Sequence, residues 1–384
     1  MTPGLLADYR PGSFLLASPR RSLLATGVRQ VVTEPDPDEL SARVTKLLVD
    51  SDAQVAVGAL PFHSATAPHV VLPRSVRWAG PLRPAVRPRP AFPAGVDVVP
   101  VPAPAEYERA VATAVERLRA GELDKVVLAR SLRLRTAEPV EVAALLANLA
   151  ADNRTGYTYA VDLPAAGLGR RTLVGATPEM LLSRTGLRVV ANPLAGSIPR
   201  HPDPEQDRRR AAALAASVKD RDEHRVVTEA VVDALRPFCR TLTVPDEPSL
   251  VSTDAVWHLS TRITGELADP GISSLRLACA LHPTPAVCGM PFELARDTIA
   301  ELEPFDRGFY AGATGWCDAD GDGQWVVAIR CAEIAEPDPS AGSTITLYSG
   351  AGIMPASQPH LELAETSAKF RTLLRAMGLD PVPD

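Results

Sequence analysis

Residues 105–130, AEYERAVATAVERLRAGELDKVVLAR, decide how the fold is built. Tyr107, Val111, Ala114, Val115 and Leu118 fall on one stripe of a 3.6-residue period, which predicts an amphipathic helix. Gly121 supplies its stop, and the chain passes directly into KVVLARSLRLR (125–135), which reads as a strand. Further strands are expected at YTYAVDLP (157–164), RTLVGAT (171–177), GLRVVANPLAG (186–196), VWHLSTRITGEL (256–267) and ITLYSGAGIM (345–354). GFYAGATGWCDADGDGQWVVAIRCAEI (308–334) reads as a hairpin. Helices are expected throughout 204–238, stopping at Pro237, and at LRLACALHP (275–283). A last helix turns Phe370, Leu373, Leu374 and Met377 inward and ends at Gly378. Strands in hairpin-like succession, without strict β-α-β alternation, predict an α+β fold with large, mostly antiparallel sheets.

Upstream, residues 1–72 mix short apolar runs such as QVAVGALPF (54–62) with turn residues, which suits strands, with one helix near PDELSARVTKLLV (37–49). Residues 73–104 hold nine prolines, including RPAVRPRPAFP (83–93), and read as an extended connection over a surface.

The 384 residues carry 40 basic and 46 acidic side chains, a net charge of −6, which argues against a general nucleic-acid surface. Five cysteines, odd in number and without a CxxC pair, indicate neither a disulfide framework nor a zinc site. The N-terminus lacks the pattern of a secretory signal, and no run of 18 apolar residues suggests a membrane span, so a soluble, cytoplasmic protein is expected. DADGDG (318–323) copies the opening of a calcium loop, but its twelfth position is Ile329 where a bidentate Glu is required. SGAGI (349–353) lacks the spacing and the following helix of a dinucleotide site.

Four carboxylates carry more chemistry. Asp220 with Glu223, and Glu362 with Glu365, are spaced i,i+3 in helical segments, so each pair projects from one face. Acids so spaced commonly form a solvated face. Brought together in one site, they need a cation between them, and oxygen-only ligands point to Mg²⁺.

The segments DKVVLAR, VGATPEMLL, ANPLAGSIPR, KDRDEH, VWHLSTRI, LHPTPAVCG, ELEPFDRGFYAGATGW, WVVAIRCAEI, YSGAGI and ELAETSAK, in this order, resemble the motif series of chorismate-utilising enzymes, with isochorismate synthases of the siderophore type the closest match. The resemblance is strong over about 105–384, the expected chorismate-binding catalytic core, and weak over 1–104, the expected N-terminal part of the same fold. It implies one large α+β domain whose two extensive sheets, flanked by helices, enclose a deep pocket for chorismate. It also implies Mg²⁺ held by Asp220, Glu223, Glu362 and Glu365 and bridging to the ring carboxylate.

The implied reaction adds water at C2 of the ring while the hydroxyl at C4 departs. Lys125 matches the family's general base, and Glu179 matches the general acid, whose pKa must be raised. Arg330, on the strand WVVAIRC, matches the residue that grips the enolpyruvyl carboxylate. Tyr310 would add a hydroxyl donor, and Gly350 and Gly352 would admit backbone amides. Gly196 and Ser197 line the ring-carboxylate side, and Lys369 balances the acids. His258 either positions water or the C4 hydroxyl, or is a satisfied core histidine.

Amine-transferring relatives carry Gln at the place of Lys125, or a nucleophilic Lys at the place of Ala195, so this chain has the water-activating pattern. Salicylate-forming relatives tend to have Thr where Ala286 stands, which favours stopping at isochorismate over going on to eliminate pyruvate. Thr177, Met180 and GMPFELA (289–295) depart from the commonest wording without removing a chemical group. A catalytically silent scaffold would have no reason to keep Lys125, Glu179 and all four acids together. A monomer is the expected state.

Overall fold

The computed structural model describes residues 5–63, 66–82, 96–164, 169–253, 255–336 and 342–379. Within them, 17 strands pair into one continuous network, and three more form a small separate sheet. The spine is Lys125–Arg135, paired antiparallel along one edge with Thr344–Ile353. Its other edge takes Asp97–Val101 at one end and Gly289–Met290 at the other. The expected α+β class, with large antiparallel sheets flanked by helices, is what the chain adopts.

Both faces of the network are buried, and the period-2 pattern of the strands divides the side chains between two cores. In Phe14–Ala17, Phe14 and Leu16 enter one core and Leu15 the other; in Ser22–Val32, Leu23 and Ala25 oppose Leu24 in the same way. The larger core is covered by helices that include Pro37–Val49 and Pro104–Arg119, the latter through the five residues of its predicted stripe. The smaller core is covered by Val142–Asp152 and Pro359–Met377, the latter through Phe370, Leu373, Leu374 and Met377. Each such side chain, 1–2 % exposed, stabilises the fold by roughly 1.5–3 kcal/mol relative to leaving it in water. Gly378 ends the last helix in the left-handed region at φ 75°.

The first hundred residues are woven into the same network. Val55–Leu60 pairs with Ala313–Asp318, and Phe14–Ala17 pairs with Tyr157–Leu163. The Pro-rich stretch is only partly a connection: Pro73 lies in the strand His69–Ala79, opposite a bulge at Val28–Gln30 that relieves its missing N–H. RPAVRPRPAFP lies outside the described residues.

Four segments differ from expectation, and each difference shapes the cavity described below. The 204–238 helix is two, Pro204–Ala216 and Val218–Leu235, broken at Ser217, whose extended backbone and hydroxyl cap the second. Residues 186–196 divide into Arg188–Asn192 in the main network and Leu194–Pro199 in the small sheet. Residues 256–267 divide likewise into Val256–Ser260 in the small sheet and Ile263–Leu267 in the main one. The 308–334 hairpin spans only Ala313–Asp318 and Gly323–Val327; Cys331–Glu336 is a separate strand pairing with Arg170–Thr177 and Thr344–Ile353. Arg330 is therefore not on a strand. It occupies the break between two of them, at φ 50°. Among the described residues, no helix is long and apolar enough to cross a membrane.

Candidate active site

A cavity of about 670 Å³, its open mouth included, lies where the small sheet, the spine strand and the last helix meet. Glu179, His258, Gly196, Ser197 and Ala286 line it, as do Tyr310, Arg330, Gly350, Gly352 and Lys369. Of the four acids, Glu223 and Glu365 reach its wall.

Lys125 begins the spine strand and is fully buried, just behind the wall. Its Nζ lies 2.9 Å from Glu223 Oε1, an ion pair by distance although not an aligned hydrogen bond. Gly352 allows this approach: a Cβ there would stand 2.2 Å from Glu223 Oε1 and 3.1 Å from Lys125 Cε. Burial alone would raise the Glu223 carboxyl, but the Lys125 ammonium outweighs it and holds the group below its ordinary value.

Glu179 sits in the two-residue turn between Arg170–Thr177 and Met180–Thr185. Its Oε1 accepts from the Leu194 N–H at 3.4 Å. Burial raises its pKa to about 7, against the pull of that N–H and of Lys125, Arg330 and Lys369. A carboxylic acid half protonated near neutral pH is suited to proton donation.

The small sheet brings His258 opposite Ser197. Burial, then the charges of Arg330 and Lys369, push the imidazole well below its ordinary pKa, so it is neutral. Its Nε2 therefore accepts from Arg330 Nη2 at 3.1 Å, while the ring also bonds the Gly196 backbone. Arg330 Nη1 is buried without a partner, although an unmet guanidinium N–H is costly. That N–H and the left-handed backbone are both features that collect at ligand sites. Burial lowers the Arg330 pKa to about 10, which leaves it a cation at neutral pH. Tyr310 stacks on Tyr348, their rings 4.7 Å apart and 10° from parallel.

Ser197 donates to Glu365 Oε1 at 2.9 Å, and Lys369 Nζ lies 2.5 Å from the same oxygen and 2.8 Å from the Gly350 carbonyl. Lys219 Nζ lies 2.9 Å from Glu362 Oε1. Burial and Glu223 both raise Asp220, with the Ser217 hydrogen bond opposing; burial and Glu365 raise Glu362, with Lys219 opposing. Within these contacts Glu223 acts on Asp220 and Glu365 on Glu362, each within its own i,i+3 pair. Among the described residues, no three of them stand close enough to ligate one ion in this conformation. As a donor set they suit a hard dication, being all oxygen, anionic and mutually repelling.

Several contributors were invisible in the sequence pattern. His224 bonds Thr261 Oγ1 at 2.7 Å. It is held near pKa 4 by burial and by Lys125. A buried pair, Arg307 with Glu303, clamps the spine: Arg307 donates to the carbonyls of Val287 and Val127 at 2.7 and 2.8 Å, and Glu303 accepts from the Ala129 N–H at 2.7 Å. Only Ser217, three residues before Asp220, left a readable cap signal.

The family model described as "Chorismate binding enzyme" matches residues 88–378. The chain belongs to the chorismate-binding enzymes. Among curated members of that family, it is 50 % identical over 391 residues to isochorismate synthase DhbC of Bacillus subtilis, covering 98 % of this chain and 96 % of the relative. It is 38 % identical over 389 residues to isochorismate synthase EntC of Escherichia coli, covering 97 % of each. A solved structure from Bacillus anthracis, described as a candidate 2,3-dihydroxybenzoate-specific isochorismate synthase, DhbC, superposes with a TM-score of 0.92 at 44 % identity, covering 98 % of this chain and 99 % of that one. The fold likeness extends to anthranilate synthase component I of Streptococcus pneumoniae, at TM-score 0.71 and 21 % identity, over 95 % of this chain and 90 % of that one.

Proposed function

We propose that this chorismate-binding enzyme is a Mg²⁺-dependent isochorismate synthase, adding water at C2 of chorismate and expelling the C4 hydroxyl. The observation that carries the reading is Glu179: a buried carboxyl with its pKa near 7, in a cavity whose opposite requirement, a basic amine, is met by Lys125 behind Glu223 and Gly352. Curated relatives covering nearly the whole chain bear the name isochorismate synthase, which supports the same assignment.

In this reading Lys125 must first give up its ammonium proton; the neutral amine then takes a proton from the attacking water, and Glu179 gives one to the departing hydroxyl. The unpartnered Nη1 of Arg330 meets the enolpyruvyl carboxylate, and Tyr310 donates beside it. His258, neutral and accepting from Arg330, sets the direction of that guanidinium. Gly196 and Ser197 form the wall at the ring carboxylate, with Lys369 restraining Glu365. Asp220, Glu223, Glu362 and Glu365 would hold Mg²⁺, whose role when bound is to neutralise the ring carboxylate among these acids. Ala286, small and on the cavity wall, fits a site that stops at isochorismate.

The test is product analysis of the purified protein with chorismate and Mg²⁺, by chromatography and a coupled lactate dehydrogenase assay. Isochorismate without pyruvate is expected. Equimolar pyruvate and salicylate would replace the assignment with a salicylate synthase, and unchanged chorismate would overturn it.

A further inference from the structure

Three lysine ammonium groups are set among the four acids: Lys125 on Glu223, Lys369 on Glu365 and Lys219 on Glu362. They differ in how firmly the fold holds them. The Lys125 side chain is 0 % exposed, and that of Lys369 is 13 % exposed and also tied to the Gly350 carbonyl. Lys219 is 33 % exposed. It is the second residue of the helix Val218–Leu235, where the positive end of the helix dipole disfavours a cation. The acids, not the helix, keep it there. Its ammonium stands 2.9 Å from Glu362 Oε1, and Asp220 is the next residue of its own helix. On its outer side Lys219 lines a separate open groove with Asp124, Asp222, Asp233 and Met354. The groove offers the ammonium both water and alternative carboxylates.

We propose that Lys219 is a tethered counter-ion: in the metal-free enzyme it holds the place of the divalent cation between the acids, and it swings into the outer groove when the cation enters. The inference rests on the Mg²⁺ reading above. Three of the four acids each pair with a lysine, and of those three lysines Lys219 is the most exposed. Lys219 then has a task distinct from the chemistry of Lys125: setting how much free metal the enzyme needs.

The test uses Mn²⁺ as probe on chelator-stripped, full-length protein, with free Mn²⁺ measured by electron paramagnetic resonance in the absence of chorismate. Lys219→Gln is expected to bind Mn²⁺ at least tenfold more tightly than the unmodified protein, and Lys219→Arg, which keeps the charge, to bind like it. Lys219→Met serves in the same role if the Gln variant does not fold. Mn²⁺ should also raise the melting temperature of Lys219→Gln more than that of the unmodified protein. Equal or weaker binding by both neutral variants, with binding lost in Glu362→Gln, would overturn the role of Lys219 while leaving the metal site standing. Absence of binding in every form, with or without chorismate, would overturn both.

Discussion

Replacing Glu179 by Gln should make the enzyme inactive and, above neutral pH, more stable. In the folded protein burial raises this carboxyl from its ordinary 4.5 to about 7. The native state therefore keeps a proton that the unfolded chain releases between those values, so stability falls as pH rises through that window and levels off above it. At ~1.4 kcal/mol per tenfold change, the ionised buried group costs the fold about 3 kcal/mol at alkaline pH and nothing in acid. Gln is neutral throughout and keeps an oxygen for the Leu194 N–H. Its amide N–H₂, placed where the carboxyl was, would cost about 1 kcal/mol if unpaired. The variant should thus be about 1 kcal/mol less stable than the parent near pH 3.5, about equal to it near pH 5, where the profiles cross, and about 2 kcal/mol more stable near pH 8.5. Urea unfolding followed by tryptophan fluorescence across a buffer series measures this directly. A stability difference independent of pH would refute the claim that burial holds Glu179 protonated, and turnover above about 1 % of the parent would refute its role as acid.

Other outcomes follow from the same geometry. Lys125→Ala should abolish turnover while chorismate binding, measured by calorimetry, survives. The fold should lose roughly 3–5 kcal/mol because Glu223 is left buried without its cation; undiminished activity would remove Lys125 from the mechanism. Gly352→Ala should lower kcat by on the order of 100-fold in a folded protein, because its methyl would occupy the place of Glu223 Oε1, 2.2 Å away; wild-type kinetics would contradict that. Stripping divalent metal with a chelator should stop activity, and Mg²⁺ should restore it; full turnover in verified metal-free protein would remove the metal from the account.

Much of the fold was legible because local signals agreed with the tertiary structure. The stripe from Tyr107 to Leu118, the stop at Gly121 and the spine strand behave as their pattern dictates, as does the last helix with its left-handed Gly378. The errors fell where a side chain or a distant partner, not propensity, turns the chain. No Gly or Pro marks the corner at Thr261–Arg262, where one apolar run is split between two sheets and Thr261 bonds His224 instead. The apolar run around Arg330 predicts a strand there. The Arg330 φ of 50° is imposed by the break between two strands with different partners, and no residue type announces it. At the site, motif order named residues that line the cavity, Glu179, Tyr310 and Arg330 among them, whereas Lys125, Asp220 and Glu362 are not in its lining. Motif order and acid spacing could not show Lys219 on Glu362, Tyr348 against Tyr310, or the bonds of Arg307 and Glu303 to the spine strand, because those contacts depend on where separate elements meet.

The central claim is that this cavity places a solvent water at C2 while Glu179 releases the hydroxyl at C4. Turnover of chorismate in ¹⁸O-labelled water, sampled early and read by mass spectrometry, tests it most directly. One labelled oxygen per isochorismate, carried on C2, is the predicted result. Unlabelled isochorismate, meaning transfer of the substrate's own hydroxyl, would contradict it.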